Sequence, residues 1–156
     1  MTDRKIVEPI VIPHQVNDCI VVCKSHVGCV RDENQAFMGY AHANEKQIIV
    51  VADGMGGHSG GYEASRIAMK SVNEFFLNQH DKLNSKELLH GCIEAANRSV
   101  HSAAENGQHY QGMGTTIVMA LIEADKAWLA HVGDSRIYLC RNGKIVLLTL
   151  DHSRVN

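Results

Sequence analysis

The first third of the chain alternates short apolar segments with polar links, a pattern typical of β-strands. Strands are predicted over residues 19–24, 35–41 and 47–52. The polar link at 42–46 is short, so the last two strands are expected to form a hairpin. Residues 1–17 are interrupted by prolines and are expected to be a lead-in with one short extended piece.

Residues 60–79 and 85–106 have a different period, with apolar positions three to four residues apart. This spacing places the apolar side chains on one face and predicts two amphipathic helices. Asn84 or Ser85 is expected to cap the second helix, with Glu87 in its first turn. The apolar pattern fades near Gly107, where that helix is expected to end.

After the helices, the sequence again shows the alternation of apolar and polar residues that is typical of β-strands. Strands are predicted at 115–123, 127–132, 137–140 and 144–150. Asn142-Gly143 lies between the last two and indicates a tight hairpin. The predicted order is strands, then two helices, then strands again. Because strands and helices do not alternate, this order favours an α+β fold with antiparallel sheets over a doubly wound parallel sheet.

Composition and charge narrow the class of protein. The chain has 156 residues, enough for one domain with a real core, and it is 45% hydrophobic and 21% charged. Its net charge of -2 argues against nucleic acid or an anionic membrane as the main partner. No segment resembles a membrane span or a secretory signal, and the five scattered cysteines are typical of reduced thiols. A cytoplasmic localisation is therefore expected.

The segment Val50-Val51-Ala52-Asp53-Gly54-Met55-Gly56-Gly57-His58 carries the most chemistry. An apolar strand delivers Asp53 to the edge of a sheet, where its carboxylate can hold a metal, and the glycines let an ion or phosphate approach the backbone. His58 can carry a proton near neutral pH. The alternative is a turn aspartate that caps the following helix. A phosphate-binding loop is disfavoured because no Lys-Ser or Lys-Thr follows the glycines.

Two further positions offer related chemistry. Asp134 is a second carboxylate directly after an apolar strand, although a plain hairpin turn would explain it as well. Arg31 lies in a predicted loop, where a guanidinium can hold a phosphate through two hydrogen bonds, although many loop arginines are simply solvated. Each is a modest signal alone, whereas Asp53, its glycines and His58 together indicate metal-assisted phosphoryl chemistry.

Five motifs occur in a specific order between residues 25 and 153. They are Val30-Arg31 through Phe37, the Asp53 segment, Gly112-Met113-Gly114-Thr115-Thr116, His131-Val132-Gly133-Asp134-Ser135-Arg136, and Leu148-Thr149 through His152. In order and spacing the sequence resembles the metal-dependent protein phosphatases of the PPM or type 2C family, which act on phosphoserine and phosphothreonine. It looks most like the compact bacterial members.

The resemblance implies a layered α-β-β-α sandwich, with residues 18–156 forming the N-terminal portion of one such domain. It implies two divalent ions, Mg²⁺ or Mn²⁺, with a water between them that attacks phosphorus. Asp53 would bridge both ions, the Gly54 carbonyl would serve one, and Asp134 would assist a third. Arg31 would hold the substrate phosphate and His58 would protonate the leaving oxygen.

Two departures from the family pattern matter. Where the family has an acidic pair after the arginine, this chain has Asn34-Gln35-Ala36, and Gln35 is expected to be a weak metal ligand at best. The family also continues through Ser-Asp-Gly and Gly-Asp-Asn motifs that complete the first metal site, whereas this chain ends at Asn156. We therefore expect a C-terminally truncated chain with weak or absent activity and unpaired sheet edges.

Three hypotheses follow from these features. The first is a protein serine/threonine phosphatase with a phosphoprotein substrate and a cognate kinase, and with no nucleic-acid or membrane partner. The second is a catalytically inactive relative that binds phosphoproteins. The third is a non-functional fragment of a disrupted gene.

Overall fold

An antiparallel sheet carries a pair of helices on one face. The computed structural model describes residues 6–11, 20–30, 32–56, 60–107 and 110–152. In chain order its elements are β1 (Ile6–Val11), β2 (Ala36–Ala43), β3 (Lys46–Met55), α1 (Gly60–Gln79), α2 (Ser85–Asn106), β4 (Gly114–Thr115), β5 (Ile117–Glu123), β6 (Lys126–Val132), β7 (Tyr138–Arg141) and β8 (Lys144–Leu147).

The strands of the described residues form two sheets. The larger has the order β1-β6-β5-β3-β2, with β4 paired to the end of β3, and its ladders are antiparallel. The smaller is the hairpin of β7 and β8. Its turn residues Asn142 and Gly143 both have positive φ, of 52° and 71°, as a two-residue hairpin turn requires. The predicted α+β class with antiparallel sheets is confirmed.

The core lies between the larger sheet and the helices. Alternate residues of β3 and β5 point to the helices and are almost fully buried. From the strands the core takes Ile48, Val50, Ala52, Met119 and Leu121, and from the helices Val72, Phe76, Leu88, Leu89 and Cys92. Burial of a large apolar side chain contributes about 1.5–3 kcal/mol, so this layer fixes the sheet that carries the candidate site.

Both predicted helices are confirmed. The helix α1 occupies the predicted residues, and α2 begins after Asn84. The Asn84 side chain accepts a hydrogen bond from the Glu87 backbone N–H at 3.0 Å, and the Glu87 carboxylate accepts one from the Asn84 N–H at 3.3 Å. This reciprocal capping box satisfies two donors that a helix start otherwise leaves unpaired.

The strand prediction at 19–24 is wrong for the residues that the structure describes. Residues 20–24 are irregular, Ile20 and Val22 are 88% and 85% exposed, and Cys23 is exposed rather than in the core. An alternating segment becomes a strand only beside a partner strand, and no described strand pairs with it. The last predicted strand is also shorter, since β8 ends at Leu147.

Other boundaries differ less. The strand predicted at 115–123 is divided at Thr116 into β4 and β5. Residues 6–11, within the predicted lead-in, pair with β6 at the sheet edge. The division at residue 17 stays a prediction, because residues 12–19 lie outside the described part. No described helix has the length and apolar character that crossing a bilayer requires.

Candidate metal and phosphate site

The candidate site begins where β3 ends. Ala52 is fully buried against the helices, and the next residue, Asp53, is exposed. Asp53 lies opposite Ala36 of β2, and the neighbouring Gly54 N–H donates to the Gln35 carbonyl at 3.1 Å. The Ser65 hydroxyl of α1 donates to the same carbonyl at 2.6 Å. The backbone around the Asp53 carboxylate is therefore fixed by both a strand and a helix.

Close backbone packing explains part of the glycine cluster. A Cβ on Gly54 would lie 1.8 Å from the carbonyl oxygen of Gly61, so β3 and the start of α1 approach each other too closely for a side chain. A Cβ on Gly61 would lie 2.5 Å from Oε1 of Gln35, which places that amide over the start of α1. Gln35 is thus close to Gly54 and Asp53, as its assignment to the site requires.

Thr116 connects the Asp53 strand end to the rest of the sheet. Its backbone N–H donates to the Asp53 carbonyl at 2.9 Å, and its Oγ1 accepts from the Asp53 N–H at 3.2 Å. In a regular antiparallel pair the second bond would reach a backbone carbonyl. Here a side-chain hydroxyl replaces it, which accounts for the break between β4 and β5.

Asp134 lies in the loop that follows β6, and its side chain is exposed. The preceding Gly133 has a φ of 98°, which favours glycine, and its carbonyl accepts from the His152 N–H at 3.0 Å. Ser135 contacts Thr116 through their hydroxyl oxygens, which are 2.6 Å apart. The main chain at Asp53 is therefore linked through Thr116 to Ser135, the residue that follows Asp134.

An ion pair holds the other side of the Asp134 loop. Arg136 donates to both carboxylate oxygens of Asp151, with contacts of 3.0 Å from Nε and 2.5 Å from Nη2. The guanidinium lowers the pKa of Asp151, and that carboxylate raises the pKa of Arg136. The loop is thus tied to the segment that follows β8.

His131 is the buried ionisable side chain nearest to this loop in sequence. It is 2% exposed, and its ring stacks on His152 with a centroid distance of 4.5 Å. Its Nδ1 has no hydrogen-bond partner among the residues that the structure describes. Burial lowers the pKa of His131, the neighbouring His152 lowers it further, and Asp151 opposes these effects.

Sequence reasoning missed Thr116, Ser135, His131 and Asp151 as parts of the site. Each lies inside one of the five motifs, but a motif does not show which side chains meet. Arg31 and His58, the predicted phosphate-binding and proton-donating residues, lie outside the described residues, so their roles stay predictions.

The donors at the site agree in kind with a hard divalent cation. Asp53 and Asp134 offer carboxylate oxygens, which Mg²⁺ and Mn²⁺ prefer. In the part of the chain that the structure describes, no three His, Cys, Asp or Glu side chains are grouped closely enough to hold a metal ion. A tight site would need oxygen ligands beyond these two residues.

An apolar cleft of about 410 Å³ adjoins the candidate site. It lies between α2 and the strand ends, and its wall includes Ile93, Val100, Met113, Val132 and His152. Neither Asp53 nor Asp134 contributes to this wall, so the cleft is not the place predicted for metal and phosphate.

Comparison with known proteins identifies the class that this fold and site define. The family model for protein phosphatase 2C matches residues 28–155. A serine/threonine phosphatase of Listeria innocua is 36% identical over 133 residues, which are 83% of this chain and 53% of that protein. A serine/threonine phosphatase structure from S. agalactiae covers 94% of this chain, and the chain covers 57% of it, at 31% identity and a TM-score of 0.75.

The chain therefore belongs to the protein phosphatase 2C family, as the five motifs predicted. It spans about half the length of the curated relatives it matches. A further similar structure is the catalytic domain of the phosphatase PstP in complex with two manganese ions, at 26% identity and a TM-score of 0.69. This chain covers 57% of that domain.

Proposed function

We propose that this chain provides the Asp53-bearing part of a metal-dependent protein serine/threonine phosphatase. One observation carries the proposal: within a chain of this family, an exposed carboxylate at the end of a buried strand is tied by Thr116 and Ser135 to a second carboxylate loop. Asp53 offers a carboxylate from a paired strand and Asp134 offers one from the loop after β6, and oxygen donors of this kind suit a hard divalent cation.

Each residue has a definite part in this chemistry. Asp53 and the Gly54 carbonyl would hold divalent ions, with Asp134 and Gln35 contributing weaker contacts. A bound ion lowers the pKa of its coordinated water and neutralises phosphate charge. Arg31 would orient the phosphate through paired hydrogen bonds, and His58 would deliver a proton to the seryl or threonyl oxygen that leaves. The substrate would be a phosphoprotein in the cytoplasm, phosphorylated by a cognate kinase.

An assay of the 156-residue chain on a phosphothreonine peptide tests this function. Because the chain offers few carboxylate ligands, we expect weak phosphate release with Mn²⁺ and less with Mg²⁺. EDTA removes the ions, so no release is expected in its presence. Asp53→Asn should abolish the release, and Asp125→Asn, at an exposed turn away from the site, should leave it unchanged. Equal release by the wild-type chain and Asp53→Asn would contradict the proposal and indicate a contaminating enzyme.

A second candidate function is phosphoprotein binding without hydrolysis. Asn34, close to the position of the family's acidic pair, uses its side chain in a local turn: Oδ1 accepts from the Ala36 N–H at 3.1 Å and Nδ2 donates to Ser25 at 2.7 Å. Both polar atoms of this amide are therefore engaged in contacts with nearby residues of the chain. Measurable binding of the phosphothreonine peptide without turnover, with no binding of the unphosphorylated peptide, would favour this candidate.

A further inference from the structure

Two hydroxyl groups connect the chain segments that carry the candidate metal-binding carboxylates. Thr116 Oγ1 and Ser135 Oγ are 2.6 Å apart, and both side chains are partly buried. Thr116 also holds both backbone groups of Asp53, while Ser135 directly follows Asp134. We call this pair the hydroxyl bridge. It joins two carboxylates that are 81 residues apart in the sequence (53 to 134).

We propose that the hydroxyl bridge sets the relative position of the Asp53 and Asp134 carboxylates, so that Thr116 and Ser135 are positioning residues for divalent-metal binding. This inference rests on the proposed function and goes beyond it, because it assigns a role to two residues that contribute no metal ligand. Groups that orient metal ligands from outside the coordination sphere typically change affinity by about 10–100-fold when removed.

The hydrogen-bonding capacity of Thr116 accounts for this role. A hydroxyl has one proton and two lone pairs. One lone pair of Thr116 Oγ1 accepts from the Asp53 N–H, and the hydroxyl still donates to or accepts from Ser135. A backbone carbonyl in the same place would complete the ladder but would not offer the proton. The side-chain hydroxyl therefore completes the strand pairing and also reaches the Asp134 loop.

Among the described residues, the bridge is the hydrogen bond that joins this loop to Thr116, whose side chain also packs closely against Gly133. On its other side the loop is held by Arg136 on Asp151 and by the bond from the His152 N–H to the Gly133 carbonyl. Those contacts tie it to the segment after β8, not to the Asp53 strand. Since Mg²⁺ requires ligand distances of about 2.0–2.1 Å, a small shift between loop and strand would weaken ion binding that depends on the relative position of the two carboxylates.

Titration of the full chain with Mn²⁺ alone, followed by the electron paramagnetic resonance signal of the free ion, tests the bridge. Thr116→Val removes the hydroxyl at nearly constant shape, and we expect at least about a tenfold weaker Mn²⁺ affinity. Ser135→Ala should weaken it less, because the Asp53 N–H keeps its acceptor. The double variant should match Thr116→Val, since both changes break the same contact. Thr116→Ser, which keeps the hydroxyl, should restore near wild-type affinity.

Two controls separate positioning from folding. Thr115→Val removes a neighbouring hydroxyl that bonds the Thr116 carbonyl and not Ser135, and it should bind Mn²⁺ like the wild type. Thermal unfolding in EDTA reports the stability of every variant without metal. The positioning role is wrong if Thr115→Val lowers the Mn²⁺ affinity as much as Thr116→Val does. It is also wrong if the loss of Mn²⁺ affinity across the variants only follows the loss in melting temperature.

The remaining outcomes distinguish this inference from the function on which it rests. If Asp53→Asn weakens Mn²⁺ binding while Thr116→Val and Ser135→Ala do not, the hydroxyl bridge is overturned and the metal site stands. Additive losses in the double variant would also overturn the bridge. If the wild-type chain binds no Mn²⁺ in a manner that depends on Asp53, both proposals are overturned.

Discussion

Single residues at the end of β3 serve packing and chemistry together. The sequence indicated that the glycines around Asp53 leave room for an ion or a phosphate. The structure shows that Gly54 and Gly61 also let a strand end and a helix start meet backbone to backbone. Asp53 is therefore exposed at a place where strand pairing and close backbone packing hold its main chain, which suits a metal-binding carboxylate.

Gly54→Ala tests this packing. The added methyl would lie 1.8 Å from Gly61 O, 2.4 Å from its C and 2.8 Å from its Cα, and backbone atoms cannot turn aside as a side chain can. We expect a loss of about 1–3 kcal/mol in the free energy of unfolding, measured by urea denaturation. The control is Gly60→Ala, whose nearest atom outside its own helix would be Met113 Cβ at 3.3 Å. Equal stabilities of the two variants would contradict the argument.

At the scale of elements, β6 and the segment after β8 hold the Asp134 loop between them. The His131 ring of β6 stacks on His152, and Ile137 N–H donates to the Thr149 hydroxyl at 3.3 Å. His131 is buried with Nδ1 unpartnered, so its charged form is disfavoured in the folded protein. We therefore expect the stability of this packing to depend on pH.

A pH series of melting temperatures tests the His131 contact. Its pKa in the folded protein is below the value of about 6.5 expected when unfolded. The unfolded chain therefore takes up the proton first, and stability should fall as pH drops below about 6.5, until the folded protein is protonated as well. The melting temperature of the wild type should fall more steeply between about pH 7 and about pH 5 than that of His131→Asn.

His90→Asn, at an exposed position of α2, supplies the control for that series. It should keep the wild-type slope, because removal of an exposed imidazole leaves the His131 contact intact. If the melting temperatures of the wild type and His131→Asn fall equally with pH, groups other than His131 set the pH dependence.

At the scale of the whole molecule, the β7–β8 hairpin stands apart from the larger sheet. It forms a two-stranded sheet whose apolar side chains remain largely in solvent, with Tyr138 53%, Ile145 72% and Leu147 44% exposed. Two-stranded sheets are marginal alone in water, and exposed apolar strand edges favour association. The described part of the chain thus combines a well-packed helix–sheet layer with an uncovered hairpin.

Sedimentation velocity at several protein concentrations tests the effect of this hairpin. We expect concentration-dependent self-association of the wild-type chain, reduced in the single variant Ile145→Lys, because the charge opposes burial of that face. Leu77→Lys, on the 52%-exposed Leu77 of α1, controls for the added positive charge and should associate like the wild type. A monomeric wild type at all concentrations would contradict the expectation.

The amino-acid sequence by itself determined the two helices, most of the strands and the family. The helices, the Asn84 cap and the Asn142-Gly143 turn follow from local periodicity and backbone preference, so they could be predicted without any partner segment. The motifs around Asp53 and Asp134 named two carboxylates because each follows an apolar strand. These features depend only on residues near one another in the chain.

The tertiary structure decided what depends on distant partners. Residues 20–24 alternate like a strand but have no described partner, whereas Ile6–Val11, expected only as a short extended piece, pairs with β6. The hydroxyl bridge joins Thr116 and Ser135. Nothing in the sequence distinguishes these two residues from the other threonines and serines of the chain. Strand pairing and contacts between distant side chains join residues that are far apart in the sequence. A sequence permits many such contacts, and only the folded chain selects among them.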